Sequence, residues 1–84
     1  MRIFYITFRS VTYAQRGERI LQGGGIRCTL RRTPRWMEQQ GCGYCLRMGA
    51  DSVRPALELL QREGIPYRKV YLQGGDGQLE EMTV

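Results

Sequence analysis

Eighty-four residues with a formal net charge of +5, no histidine and three cysteines suffice for one small domain, with little room for a deep, water-free site. The missing histidine excludes a Cys-His or Ser-His dyad and a Cys₂His₂ zinc site, and three cysteines cannot complete a Cys₄ site within one chain. No apolar run approaches the ~20 residues of a membrane helix.

In chain order, Met1 to Ile6 is too quickly polar for a signal peptide and opens the first strand. From Ile3 to Arg9 the alternation sets Phe4, Ile6 and Phe8 on one face, with Tyr5, Thr7 and Arg9 on the other. Ser10 or Thr12 can cap a helix whose apolar stripe, Val11, Ala14, Ile20 and Leu21, is thinned by Gly17. Gly23-Gly24-Gly25 ends it. A second strand is expected from Ile26 to about Arg32, facing Ile26, Cys28 and Leu30 inward and Arg27, Thr29 and Arg31 outward. A long loop follows from Thr33 to Gly43. The third strand, Tyr44 to Met48, alternates Tyr44, Leu46 and Met48 against Cys45 and Arg47. In the second helix Val53, Ala56, Leu57 and Leu60 form one stripe, Asp51 or Ser52 caps, Pro55 falls in the first turn and Gly64 terminates. The last strand runs from Tyr67 to Leu72. The domain is expected to span residues 1–73, with 74–84 a flexible acidic tail carrying Asp76, Glu80 and Glu81.

The two helix ends read alike. Ile20-Leu21-Gln22-Gly23-Gly24-Gly25-Ile26 matches Leu59-Leu60-Gln61-Arg62-Glu63-Gly64-Ile65 in helix, stop and strand entry. The junctions point to a duplicated βαβ unit. The economical fold is α+β: a ferredoxin-like βαββαβ plait, a four-stranded antiparallel sheet with two helices on one face.

The connection between strands two and three is about ten residues, against a hairpin norm of ~2–5. It ends in Gly41-Cys42-Gly43-Tyr44-Cys45. Glycines on both sides of Cys42 let a partner approach the sulfur, and Arg35 and Arg47 are near enough in sequence to favour the thiolate, the reactive form. Cys45 is the candidate resolving thiol, whereas Cys28 alternates with core positions and reads as a small hydrophobe. An odd cysteine count argues against a secreted disulfide framework, so a reducing, cytoplasmic compartment is expected. Arginine is the main cation, with Lys69 the one lysine. That suits phosphate or carboxylate contact, though a genome's base composition explains it equally well.

At these residues the sequence resembles the small bacterial proteins described as sulfur/selenium carrier-like. The elements that carry the resemblance are Thr7-Phe8-Arg9-Ser10, Gly25-Ile26, Thr33-Pro34-Arg35 and Gly41-Cys42-Gly43, in that order over most of residues 3–72. The resemblance implies a carrier rather than a self-sufficient enzyme. Cys42 would hold sulfur or selenium as a persulfide or selenopersulfide, between a donor enzyme and an acceptor protein. Thr33, Pro34, Arg35, Gly41, Gly43 and Arg47 would support it, without a cofactor or resident metal. Cys45 and the stretch Trp36-Met37-Glu38-Gln39-Gln40 depart from the family pattern, so a two-thiol mechanism rests on this chain alone.

Two rival readings use other features. The sheet face away from the helices would carry Tyr5, Thr7, Arg9, Arg27, Thr29, Arg31, Arg47, Tyr67, Lys69 and Tyr71, a mixture able to stack bases and hold phosphates. The RNA-recognition signature is absent, and a homodimer through this face ranks above RNA. Alternatively, Cys42 and Cys45 of two chains could share an intersubunit zinc ion.

Overall fold

The structure is a computed structural model and describes residues 2–33, 43–74 and 79–82. Strand β1 (Ile3–Thr7) turns Phe4 and Ile6 into the core, and Phe8 follows them just beyond its end. Ser10, in extended conformation, caps helix α1 (Val11–Gly23) by accepting the Tyr13 backbone N–H at 3.2 Å. Of the expected stripe, Ala14 and Leu21 are buried, Ile20 packs against the core and Val11 stays exposed. Gly17 is not a weak point of this helix but a contact. A Cβ there would stand 3.3 Å from Phe8 Cζ and 3.4 Å from Leu60 Cδ2, so the bare backbone lets α1 settle against both.

Both helices stop in the same way. Ile26 donates its N–H to the Leu21 carbonyl at 2.9 Å and Gly25 to that of Gln22 at 3.0 Å. At the end of α2 (Ala50–Arg62), Ile65 donates to Leu60 at 2.9 Å and Gly64 to Gln61 at 3.2 Å. Each is a Schellman motif, and each needs its glycine left-handed, at φ 82° for Gly25 and 71° for Gly64. The repeated sequence is therefore a repeated cap.

Strand β2 (Thr29–Arg32) begins later than the expected Ile26. The cap ties Ile26 to α1, and Gln22 Nε2 donates to the Cys28 carbonyl at 3.2 Å, so the chain leaves α1 before it can join the sheet. Strand β3 (Tyr44–Gly49) runs straight into α2. That displaces the expected cap: Gly49 holds the position without a side-chain bond, and Asp51 lies in the first turn, where it favours the helix dipole. Pro55 consequently falls inside the helix rather than in its first turn, leaving the Asp51 carbonyl without an i+4 donor.

Strand β4 (Val70–Gln73) also starts late. The Tyr67 hydroxyl accepts from Gln61 Nε2 at 3.1 Å, which draws Tyr67 toward α2 rather than onto the open face. The Lys69 N–H meets the Thr7 hydroxyl at 3.1 Å in place of a main-chain acceptor, so the regular ladder begins only at Val70. The sheet has five strands rather than four. Leu79–Met82, expected within a tail, form β5, paired antiparallel to β4 from Val70↔Met82 to Gln73↔Leu79.

The strand order is β2-β3-β1-β4-β5, antiparallel throughout. Phe4, Ile6, Leu46, Met48 and Val70 from the sheet share one core with Ala14 and Leu21 of α1 and Ala56 and Leu60 of α2. Both helices therefore cover the same face. Register puts Thr29, Arg47, Tyr5, Tyr71 and Glu81 in one row across the opposite face.

Candidate thiol site

The long connection is closed at its root. Arg32 pairs with Tyr44 as the last rung of the β2–β3 ladder, and the Thr33 N–H then donates to the Gly43 carbonyl at 2.9 Å. Gly43 has φ +85°, a turn that a residue with a Cβ adopts only under strain. Cys42 is peptide-bonded to this glycine. Pro34, Arg35, Gly41 and Cys42 themselves lie outside the described residues.

Thr33 is 5% exposed, and its buried Oγ1 has no hydrogen-bond partner among the described residues. Buried hydroxyls are nearly always bonded, and leaving one unpaired costs about 1–3 kcal/mol. Beside it, the Arg32 guanidinium lies 5.5 Å from the centroid of the Tyr44 ring and donates to the Tyr44 hydroxyl at 3.4 Å. Arg31 is exposed and lies opposite Cys45. The sequence assigns Arg31 to the open sheet face and Arg32 to the end of strand two, neither to the thiol site; their adjacency to Thr33 is the signal that links them to it.

Arg47 stands elsewhere. It is four positions along β3 from Gly43, about 13 Å at the usual strand rise, and pairs with Thr29 and Tyr5. The structure brings Thr33 and Gly43 together and leaves Arg47 at the far end of the strand.

The other two thiols are buried. Cys45, the second residue of β3, has no exposed surface and lies between Thr7 and Arg31 in the ladder. Cys28 is 9% exposed, and burial, with the Glu18 carboxylate adding to it, pushes its thiol from 9.0 up to about 11. At neutral pH Cys28 is therefore protonated and a poor nucleophile. Among the described residues no group of three or more His, Cys, Asp or Glu could hold a metal ion, and no helix is long and apolar enough to cross a membrane.

Residues 4–72 match the model of the family described as "Putative Se/S carrier protein-like". The match runs from β1 into β4 and includes the whole β2–β3 connection. Comparison with curated proteins and with solved structures gave no match.

Proposed function

Because the chain belongs to the Se/S carrier protein-like family, we propose that it carries sulfane sulfur or selenium on Cys42 from a donor enzyme to an acceptor protein. The observation that carries this reading is the family match across residues 4–72, which includes Cys42 and the Thr33–Gly43 clasp next to it in the chain. The fold is read as a ferredoxin-like plait extended by β5, acting in the cytoplasm as a carrier rather than as an enzyme.

In the loading step the Cys42 thiolate attacks the outer sulfur of a donor persulfide. One S–S bond forms on Cys42 as another breaks, and the donor cysteine leaves as a thiolate, so no external oxidant enters. An acceptor thiolate discharges Cys42 by the same exchange. Thr33 supports the reading because its hydroxyl, one backbone hydrogen bond from the turn that precedes β3, has no partner among the described residues. Arg31 and Arg32, at the end of β2, add positive charge near the same root, alongside Arg35 in the sequence. Cys45 can resolve the persulfide by attacking Cys42 Sγ, giving a Cys42–Cys45 disulfide and releasing sulfide or selenide. Cys45 is completely buried, so its sulfur must first be uncovered for this step.

Transfer of labelled sulfur from a cysteine desulfurase tests the reading. Cys42→Ala should abolish loading, Cys45→Ala should lengthen the persulfide's lifetime, and Cys28→Ala should load like wild type. Equal loading without Cys42 would end it.

The row Thr29–Arg47–Tyr5–Tyr71–Glu81 favours a second reading for the open face, a homodimer contact rather than a bed for RNA. Arg47 lies toward one end and Glu81, which pairs with Lys69 at 3.2 Å, at the other, with two tyrosines between, so an antiparallel copy would set Arg47 toward the Lys69–Glu81 pair. Sedimentation with and without Arg47→Glu tests this.

A further inference from the structure

A cavity of about 550 Å³ opens at the end of the sheet remote from Thr33 and Gly43. Its origin lies in the late start of β2. The β2–β3 ladder ends at Thr29↔Arg47, so Met48 and Gly49 extend beyond it, while residues 26–28 remain tied to the end of α1. The gap between them is lined by apolar Ile3, Ile26 and Met48 together with Gln22, Cys28, Arg27, Thr29 and Arg47.

The charge of this lining is one-sided. Arg27 and Arg47 are its charged residues, and no carboxylate lines it. Among the described residues, the ion pair found is Lys69–Glu81, at 3.2 Å, which leaves both cavity arginines without an acidic partner. Glu18, the acid on the adjacent helix, does not line the cavity; its Oε2 accepts the Leu30 N–H at 3.0 Å, but its charge reaches Cys28 and opposes an anion at that end of the site, so the oxyanion is placed toward Arg27 and Arg47. The carbonyls of the last turn of α1 would repel an anion, but those of Ile20, Leu21 and Gln22 are already taken by Gly24, Gly25 and Ile26. Two unneutralised guanidiniums and a hydroxyl beside an apolar wall form a surface that attracts an oxyanion and shelters what is attached to it.

We propose that this cavity binds a small organic oxyanion, a carboxylate or phosphate monoester carrying a compact apolar body. Arg27 and Arg47 bind the oxyanion, and Ile26 and Met48 receive the body. The site is independent of the carrier reading, since Cys42 takes no part in it.

The probes are phenyl phosphate, benzoate, inorganic phosphate and neutral benzyl alcohol, titrated into the full chain with backbone amide shifts followed by NMR. Phenyl phosphate or benzoate should saturate and move the Thr29 and Gly49 amides, and benzyl alcohol should not. Arg27→Ala and Arg47→Ala should each weaken the binding by about ten-fold or more, as expected for loss of a charged hydrogen bond. Arg54→Ala, exposed on α2, should leave it unchanged, as should Cys42→Ala. No saturable shift at Thr29 and Gly49 would overturn the proposal. So would equal binding of inorganic and phenyl phosphate, or affinity indifferent to both arginine changes in variants whose amide spectra show the native fold.

Discussion

Thr33 and Gly43 are joined main chain to main chain, N–H to carbonyl at 2.9 Å, so a long connection leaves and re-enters the sheet at adjacent points. The clasp depends on Gly43 at φ +85°, where a Cβ costs about 1–2 kcal/mol. Gly43→Ala should lower the stability of the protein by that amount, read as a shift in the urea midpoint at constant slope. Gly23→Ala, in the last turn of α1 with nothing within 4 Å of the added Cβ, is the control and should be neutral or stabilising by up to ~1 kcal/mol.

The unpaired Thr33 hydroxyl gives a prediction of opposite sign. Thr33→Val removes a buried polar group with no partner among the described residues while keeping its shape, so the unloaded protein should be as stable as wild type or more so, by about 1–3 kcal/mol. The same change should shorten the lifetime of a persulfide on Cys42. A loss of stability above 1 kcal/mol in urea unfolding would show that the hydroxyl is bonded in the native state.

Cys28 makes the stability of the fold fall in alkali. Its thiol titrates at about 11 in the native protein against 9.0 ordinarily, so the folded state holds the proton more tightly than the unfolded chain. The stabilising contribution is complete below about pH 9 and is lost as pH rises from there through about 11. Urea midpoints between pH 8 and about 11 should therefore fall more steeply for wild type than for Cys28→Ala. Alkylation of Cys28 at neutral pH should be slow, and Glu18→Gln should quicken it by removing a carboxylate that opposes the thiolate.

The parts of the fold legible in the sequence were those written in local chemistry. Leu21-Gln22 before Gly25-Ile26, and Leu60-Gln61 before Gly64-Ile65, announced two identical helix stops, and both are present. The alternation of Phe4, Ile6 and Phe8 likewise reported its buried face. What escaped notice depends on distant partners. Gly17 looked like a helix fault because Phe8 and Leu60, which fill the space beside it, are far away in the chain. Leu79–Met82 looked like tail because a four-residue edge strand draws its order from β4 and carries little pattern of its own. At the candidate site, Thr33 and Gly43 were legible as members of the motif, but their contact was not. Arg47 was set near Cys42 by counting residues; the strand separates it from Gly43 at ~3.3 Å per position, while Cys42 itself lies outside the described residues.

The central claim is that Cys42 is the atom-carrying residue, and mass mapping of the loaded protein tests it most directly. Wild-type protein is incubated with a cysteine desulfurase and cysteine, blocked, digested and sequenced by tandem mass spectrometry. The account predicts an addition of about 32 Da, one sulfur, on the peptide containing Cys42, or about 80 Da when the donor supplies selenium. It predicts unmodified thiols at Cys28 and Cys45. An adduct on either buried cysteine with Cys42 bare, or no adduct under conditions that load the donor enzyme itself, would contradict it.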